Sequence, residues 1–512
     1  MALLGKIIKS AIELTEKVLP ESSPLENQQE VLVQLLKEAR DTAFGRQYQF
    51  ARLLEAEDPG KAFAEAVPFH DYDKMHKEWW QRQLAGEADV TWPGSPSYYA
   101  LSSGTTGKSS KRIPVTDEML KAIRKTGVMQ ILALANFDLP ADFYDKEVMM
   151  LSSSTDLVQA GDHLEGEISG ISASNIPAWF KGFYRPGDEI ASLNDWDERV
   201  ARIAQQAKDW DVGGLSGIPT WNELMLKKII EYHKLKHIHE LWPNLSVFTS
   251  GGVAFEPYRK SFEALLGHPI TIIDTYLASE GFLAYQNRPN EAMAMKLATN
   301  SGIYFEFVPF KPENIDEQGN PLPQVKALRL DEVEAGQDYA LIISTVSGAW
   351  RYLIGDTVRF TDVERAEIII SGRTKHFLNV VGSQLSVLKM NEAIQALEKQ
   401  FDLAIPEFTV AAVKPEQEYI HHWYLGLEGQ ADEEALAREL DAYLQEANKN
   451  YGVARSRALK GVKVTAVSPD VFYAWNEQEK KMGGQVKMPR VMKEEEFAKW
   501  QKFADAQGQA AG

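Results

Sequence analysis

Cysteine is absent from all 512 residues. That removes a disulfide framework, a thiol nucleophile and a thiolate metal site, and it fits a reducing compartment such as the cytoplasm. Long apolar runs are missing too. No stretch of about eighteen apolar residues is free of charge, so nothing reads as a membrane span. Near the start, Lys6 and Lys9 are followed by Glu13 and Glu16, where the apolar core of a secretory leader would lie; an amphipathic helix is the better reading. Basic charge is in deficit, with 55 Lys and Arg against 73 Asp and Glu, a net charge of −18. Phosphate backbones attract basic surfaces, so a general nucleic-acid binder is excluded, while a local basic pocket is not. The expectation is a soluble cytoplasmic protein, monomeric or weakly dimeric, with neither nucleic acid nor membrane as partner.

Several catalytic signatures are missing as well. No two glycines stand two residues apart, so a Gly-x-Gly-x-x-Gly dinucleotide fingerprint cannot occur. There is no His-Glu-x-x-His zinc helix and no Gly-x-Ser-x-Gly nucleophile elbow. His421-His422 reads as exposed polarity at a sheet edge and not as a metal site.

What is present is enough apolar material, 44% hydrophobic and 10% aromatic, for large globular cores. At ~150 residues per domain the length implies two to four units. Apolar positions at helical spacing (Val31, Leu32, Leu35, Leu36, Ala39) predict a helix over 28–44 that stops at Gly45. Further helices are expected from about Thr116 to Leu134, over 195–208, 221–236 and 256–266. Strands alternate with them at 149–154, 246–250 and 270–276, the pattern of an α/β sheet whose ligand sites gather at strand C-terminal ends. The stretch 303–370 is strand-rich. Beyond it, helices (387–400, 432–449) mix with strands (407–413, 461–466) in a small α+β domain. The fold class is therefore α/β, with a large N-terminal domain over 1–375 and a small C-terminal domain over 376–512, divided near Lys375. The tail from Ala504 reads as frayed.

The most informative stretch is Tyr98-Tyr99-Ala100-Leu101-Ser102-Ser103-Gly104-Thr105-Thr106-Gly107-Lys108-Ser109-Ser110-Lys111. A strand runs into a burst of glycines, hydroxyls and lysines. Glycines bring amide N–H groups close to an anion, and hydroxyls and lysine add donors and charge, which suits a polyphosphate. A Walker A loop is ruled out, since that motif needs a glycine where Ser102 stands, and an extended piece follows instead of a helix. A solvated Gly/Ser turn is the competing reading.

Three further segments complement the loop. Thr275-Tyr276-Leu277-Ala278-Ser279-Glu280 places a carboxylate beyond a strand, where it makes sense beside phosphates only as a Mg²⁺ ligand, or else as a helix-start acid. Trp350-Arg351-Tyr352-Leu353-Ile354-Gly355-Asp356 ends in a Gly-Asp turn whose aspartate can accept from both ribose hydroxyls. Gly483-Gly484-Gln485-Val486-Lys487-Met488-Pro489-Arg490 puts a lysine in a glycine-flexed loop, either an exposed surface loop or a mobile cation reaching across an interdomain cleft to neutralise transition-state charge.

In this order the motifs resemble the adenylate-forming superfamily of acyl-CoA synthetases, peptide-synthetase adenylation domains and luciferases. More closely, they are similar to the auxin-responsive-promoter ("Gretchen Hagen") family of acyl acid amido synthetases. The closer likeness rests on the Ser-Ser-Gly-Thr-Thr-Gly loop with Lys111-Arg112-Ile113-Pro114, on Gly217-Ile218-Pro219-Thr220-Trp221, on Gly372-Arg373-Thr374-Lys375-x-Phe377-Leu378-Asn379 and on Gln485-Val486-Lys487-Met488-Pro489-Arg490. Asp41-Thr42-Ala43-Phe44-Gly45-Arg46 agrees. The resemblance implies ATP and Mg²⁺ as cofactors, with a small carboxylic acid and an amino acid as substrates. Ser102, Ser103, Gly104, Thr105, Thr106, Gly107 and Thr275 would bind ATP, with Ser279 near the α-phosphate. Gly251, Gly252, Val253 and Tyr276 would flank adenine, Asp356 the ribose, and Arg373 the ribose or phosphate. Glu280 would hold the metal, Lys111 and Lys487 would act in catalysis, and the hinge would lie at Lys375. Two residues depart from the pattern. Leu277 stands where relatives often have a small residue, and Asn379 replaces a lysine common in CoA ligases, which argues mildly against CoA chemistry.

The implied reaction forms an acyl adenylate and pyrophosphate, then an amide and AMP. An acyl-CoA ligase with the same first step, and a nucleotide-binding protein without turnover, are the alternatives. Trp179, Phe180, Phe183 and Trp221 are aromatic candidates for the acyl pocket or for core packing.

Overall fold

In the computed structural model the chain folds as two units, Met1–Val253 with Leu265–Ile369 and Ala254–Ala264 with Ile370–Gly512. All residues are described except 1, 19–21, 103–110, 254, 312, 317–318, 375–384, 386, 416–418, 430, 458, 479–487 and 511–512. The division thus falls at 369/370, slightly before the expected boundary, and the second unit also takes 254–264, an excursion that the apolar pattern does not announce. Lys375 itself lies outside the described residues.

The first unit holds, in chain order, β1 (Tyr98–Ser102), β2 (Lys111–Val115), β3 (Glu147–Met150), β4 (Val158–Ala160), β5 (His163–Gly166), β6 (Tyr184–Arg185), β7 (Val212–Gly217), β8 (Val247–Gly251), β9 (Thr271–Ala278), β10 (Gly281–Tyr285), β11 (Met295–Leu297), β12 (Ile303–Pro309), β13 (Asp338–Thr345) and β14 (Tyr352–Asp362), and it starts β15 (Glu367–Arg373). Among the described residues these form a four-stranded sheet, β2-β1-β5-β4, and an eleven-stranded one, β12-β13-β14-β15-β11-β10-β9-β8-β7-β3-β6. The β6-β3-β7-β8-β9 half is parallel. From β9 onward the chain turns back through the two-residue turn Ser279-Glu280, and β9–β10, β10–β11, β11–β15, β13–β14 and β12–β13 pair antiparallel. Glu280 therefore sits in a hairpin turn and not at a helix start.

Helix Pro24–Ala39 begins four residues ahead of the expected start at 28, with Pro24 in the first turn and the Ser23 hydroxyl accepting from the Glu26 amide. It ends at Ala39, short of the expected Phe44. Gly45 packs so closely there that a Cβ would stand 2.1 Å from the Ala39 carbonyl oxygen. The Thr42 cap then opens a separate helix, Ala43–Gln47. Helix Asp117–Ala133 starts from its Thr116 cap as expected. The expected 256–266 helix is shorter: a 3₁₀ turn, Glu256–Tyr258, followed by Arg259–Glu263.

The second unit contains β16 (Glu407–Val413), β17 (Tyr419–Gly426) and β18 (Leu459–Val467) in the order β16-β17-β18, with helices Val387–Phe401 and Glu433–Ala447. His421 and His422 overturn the reading of an exposed edge, because β17 is the central strand and they are 0% and 3% exposed. The tail is corrected likewise. Helix Glu494–Ala510 buries Phe497, Trp500 and Ala504, at helical spacing, with Phe472 and Trp475. Among the described residues no group of three or more His, Cys, Asp or Glu is arranged to hold a metal, and no helix is long and apolar enough to cross a membrane.

Candidate functional site

The hydroxyl-rich loop grows from an antiparallel stem in which Ser102 faces Lys111. Ser103, Gly104, Thr105, Thr106 and Gly107 lie outside the described residues, as does Lys487. The stem is anchored by Tyr72. The Arg112 amide donates to its hydroxyl at 3.0 Å, and Lys111 Nζ stands 5.2 Å above its ring. Arg112 Nε also reaches Glu165 of β5 at 2.7 Å, fixing β2 to its own sheet. Tyr72 and Tyr352 both pack on Trp80, with ring centroids 5.9 and 5.5 Å from it. The loop stem is thereby tied to the start of β14.

At the C-terminal ends of the parallel strands Gly251 pairs with Thr275, whose hydroxyl donates to the Ser250 carbonyl at 2.8 Å. A Cβ on Gly251 would come within 2.8 Å of that hydroxyl, so only glycine lets the two strand ends close up. Gly252 follows at φ +86°, turning the chain toward Val253.

Tyr276, near the end of β9, and Ser279 and Glu280, just beyond it, are all buried, and so are Tyr352 and Asp356 on β14. The Tyr276 hydroxyl donates to an Asp356 carboxylate oxygen. The Tyr352 hydroxyl donates to Glu280; burial first, and then the adjacent Glu280 charge, hold that phenol far above its usual range. Three strands separate β14 from β9 in the sheet order. In a flat ladder that is a distance of about 19 Å, so the sheet curls between β9 and β14 enough for their side chains to meet. A bulge in β14 helps: between the pairs Ala340↔Thr357 and Ile342↔Leu353, the single residue Leu341 is opposed by three, Ile354 to Asp356. Gly355, at φ +91°, takes the left-handed turn that the bulge needs.

Tyr352 is further pinned by His70. The Leu353 amide donates to the His70 carbonyl at 2.8 Å, the His70 amide to the Arg351 carbonyl at 3.0 Å, and His70 Nδ1 meets the Trp350 carbonyl at 2.9 Å. Burial lowers the His70 imidazole to about 4, so the ring is neutral and Nδ1 is the donor. Arg351, within the same motif, faces away. It is buried against Glu306 at 2.9 and 3.0 Å and donates to the Ala64 and Val67 carbonyls, both at 2.7 Å.

The structure therefore brings together Tyr276, Ser279, Glu280 and Asp356, and links Lys111 to them through Tyr72, Trp80 and Tyr352. Arg373, exposed at the end of β15, is grouped with the second unit. Of the acyl-pocket aromatics, Trp221 is a core residue 4.7 Å from Trp196, whereas Trp179 is 63% exposed. Sequence reasoning assigned no role to Tyr72, Tyr352 or Glu167. Tyr352 carried a signal, since it opens the quoted Tyr-x-x-Gly-Asp motif; Tyr72 carried none. Glu167 directly follows Gly166, which pairs with Ala100 in β1, so it flanks the strand leading into the loop. Its carboxyl accepts from the Ser153 hydroxyl and is raised by burial.

Comparison with known proteins gives one family. The GH3 family N-terminal domain matches residues 20–202, the GH3 family central domain 296–368 and the GH3 family C-terminal domain 389–496, together more than half of the chain. Among curated relatives, "Probable indole-3-acetic acid-amido synthetase GH3.6" of Oryza sativa subsp. japonica is 31% identical over 129 residues, 24% of this chain and 25% of that protein. The jasmonoyl–L-amino acid synthetase JAR4 of Nicotiana attenuata is 27% identical over 210 residues, 39% of this chain and 35% of that protein. These matches span only about a quarter to a third of the relatives' length. By structure, the AtGH3.15 acyl acid amido synthetase in complex with 2,4-DB has a TM-score of 0.79 at 17% identity, covering 97% of this chain and 96% of that one. A 2-hydroxyisobutyryl-CoA ligase in complex with 2-HIB-AMP has a TM-score of 0.58 at 13% identity, covering 94% and 91%. The fold is shared with these two solved structures, and by its three matched domains the chain belongs to the GH3 family.

Proposed function

We propose that this protein is an ATP-dependent acyl acid amido synthetase, which adenylates a small carboxylic acid and transfers the acyl group to an amino acid. The observation that carries the reading is that the segment bearing Glu280 and the segment bearing Asp356, two buried acids far apart in the chain, are joined by the Tyr276–Asp356 and Tyr352–Glu280 contacts, with Tyr352 tied through Trp80 and Tyr72 to the stem of a hydroxyl-rich loop. Asp356 offers two oxygens to the vicinal hydroxyls of a ribose. Tyr276, on the same hairpin as Glu280, supplies an aromatic face for adenine. The 103–107 hydroxyls and amides, with Lys111, would receive the phosphates, and Ser279 would lie near the α-phosphate. Gly251, Gly252, Val253 and Thr275 would line the adenine side, and Arg373 would approach the ribose or phosphate. Lys487, in the second unit, is the proposed cation for the charge that develops during adenylation, and Lys375 the proposed hinge.

The donor set also fits Mg²⁺, because Glu280 is a hard oxygen ligand and this ion is typically held by one or two carboxylates together with substrate phosphates. Bound there, the metal would neutralise charge on the triphosphate. The substrate carboxylate attacks the α-phosphorus, pyrophosphate leaves, and an amine then displaces AMP from the activated carbonyl. The homologues named as amido synthetases support the amine as acceptor. The test is carboxylate-dependent ATP–pyrophosphate exchange across aryl, indolyl and aliphatic acids, followed by product analysis with twenty amino acids or with CoA. Exchange with amide formation supports the reading. Thioester formation with CoA, or no exchange with any acid, overturns it.

A further inference from the structure

Tyr276 and Glu280 stand four residues apart at the end of β9, and Tyr352 and Asp356 stand four apart on β14. The two pairs are crossed, since each phenol donates to the carboxylate of the opposite segment. We propose that these crossed phenols are positioning residues, Tyr352 setting Glu280 for the metal and Tyr276 setting Asp356 for the ribose. The proposal rests on the amido synthetase reading for what the two acids bind.

Three features carry it. The first is charge. A buried carboxylate needs donors, but a cationic donor would compete with an incoming metal ion, whereas a neutral phenol satisfies one lone pair and leaves the charge in place. Arg351, the cation next to Tyr352 just ahead of β14, is instead committed to Glu306 and to two backbone carbonyls. The second is rigidity. The Tyr352 ring is 1% exposed, packs on Trp80 and sits beside the His70 bridge, so its hydroxyl has little freedom to follow a moving carboxylate. The third is closure. The sheet must curl for the two segments to meet, and the crossed bonds lie across that curl, so each acid is held by the strand that carries the other.

One consequence separates the two phenols. Losing the Tyr352 hydroxyl should weaken nucleotide binding only when metal is present, whereas losing the Tyr276 hydroxyl should weaken it with or without metal. The experiment is calorimetric titration of the full-length protein with ATP, in Mg²⁺ and in EDTA. For Tyr352→Phe we expect the Mg²⁺-dependent gain in affinity to shrink by roughly tenfold, as for one hydrogen bond to a charged group, with affinity in EDTA unchanged. Tyr276→Phe should lose a similar factor in both buffers. A Tyr352→Phe protein that keeps the wild-type ratio, or loses affinity equally in both buffers, overturns the assignment. Should Tyr352→Phe fail to fold by near-UV circular dichroism, 3-fluorotyrosine placed at 352 preserves the ring and its donor. Its ¹⁹F resonance must then shift on adding Mg·ATP beyond any shift with ATP in EDTA, and equal shifts overturn the proposal. Failure of this inference is distinct from failure of the function, because a wild type that shows carboxylate-dependent exchange retains the function whatever Tyr352 does.

Discussion

At the scale of single residues, the Arg351–Glu306 pair shows how much of the motif around Asp356 is structural. Both side chains are about 95% or more buried, and the guanidinium also accounts for the carbonyls of Ala64 and Val67 at the end of a helix far back in the chain. Removing one partner strands a buried charge, which costs about 3–5 kcal/mol. Glu306→Gln should therefore lower the stability of the first unit by about that amount in urea, while Glu306→Leu combined with Arg351→Met should recover most of it. If Glu306→Gln unfolds at the wild-type urea midpoint, the pair is not what holds the 64–67 segment against β12 and β14. The sequence shows Arg351 only as a basic residue next to the Gly-Asp turn. Its partner lies on another strand, and no local pattern names it.

At the scale of elements, β17 is instructive because its two histidines interrupt an otherwise apolar run. Strand alternation sends them to opposite faces: His421 lies 5.6 Å from the Tyr451 ring, on the side of Trp423 and Leu425, while His422 stacks on Tyr424 and meets Phe497. Read along the chain, Tyr419 to Gly426 looks polar enough for an edge; only the pairing of β16 and β18 on both sides makes it central. Burial lowers the His421 imidazole to about 3, against an opposing pull from Asp441 and with a small further push from Arg455. The unfolded chain takes up this proton near pH 6.5, so the folded state holds fewer protons below that pH. The stabilisation is complete above about pH 6.5 and is lost as pH falls toward about 3. His421→Leu should therefore flatten the acid side of the stability profile. Hydrogen exchange over 419–426, corrected for intrinsic rates, should show wild-type protection falling from pH 7 to 4.5 faster than in the variant. Parallel profiles would mean that another group carries the acid sensitivity. Helices with strong caps, such as Asp117–Ala133, and the strand-rich run after 303 were legible because their signals are local.

At the scale of the whole molecule, legibility follows sequence distance. The chemistry proposed for the hydroxyl loop, the Glu280 hairpin and the Gly-Asp bulge is in each case written within a few residues. That Tyr276 touches Asp356, however, depends on the curl of an eleven-stranded sheet. The same holds for how the chain is shared between its units. Residues 254–264 leave the first unit's sequence to complete the second. The Tyr258 hydroxyl donates to Glu407 at 2.8 Å and accepts from Arg490 at 3.1 Å, and Lys260 reaches Asp402 at 2.8 Å. Phe255, Tyr258 and Phe262 are each 2% exposed or less. A fragment of residues 370–512 therefore lacks both an apolar contribution and the hydroxyl that bridges its own buried Glu407–Arg490 pair. Burying an aromatic side chain is worth about 1.5–3 kcal/mol, and the bridging hydrogen bonds to charged groups about as much again. The fragment alone should bind a hydrophobic dye and melt without a sharp near-UV transition. The same fragment with 254–264 joined ahead of it through a flexible Gly/Ser linker should melt cooperatively and at higher temperature. Tyr258→Phe in the linked form should lose part of that gain, since it keeps the ring and removes only the bridge. If the two fragments melt alike, the 254–264 segment adds nothing to the second unit's stability, and the boundary belongs at 369/370 alone.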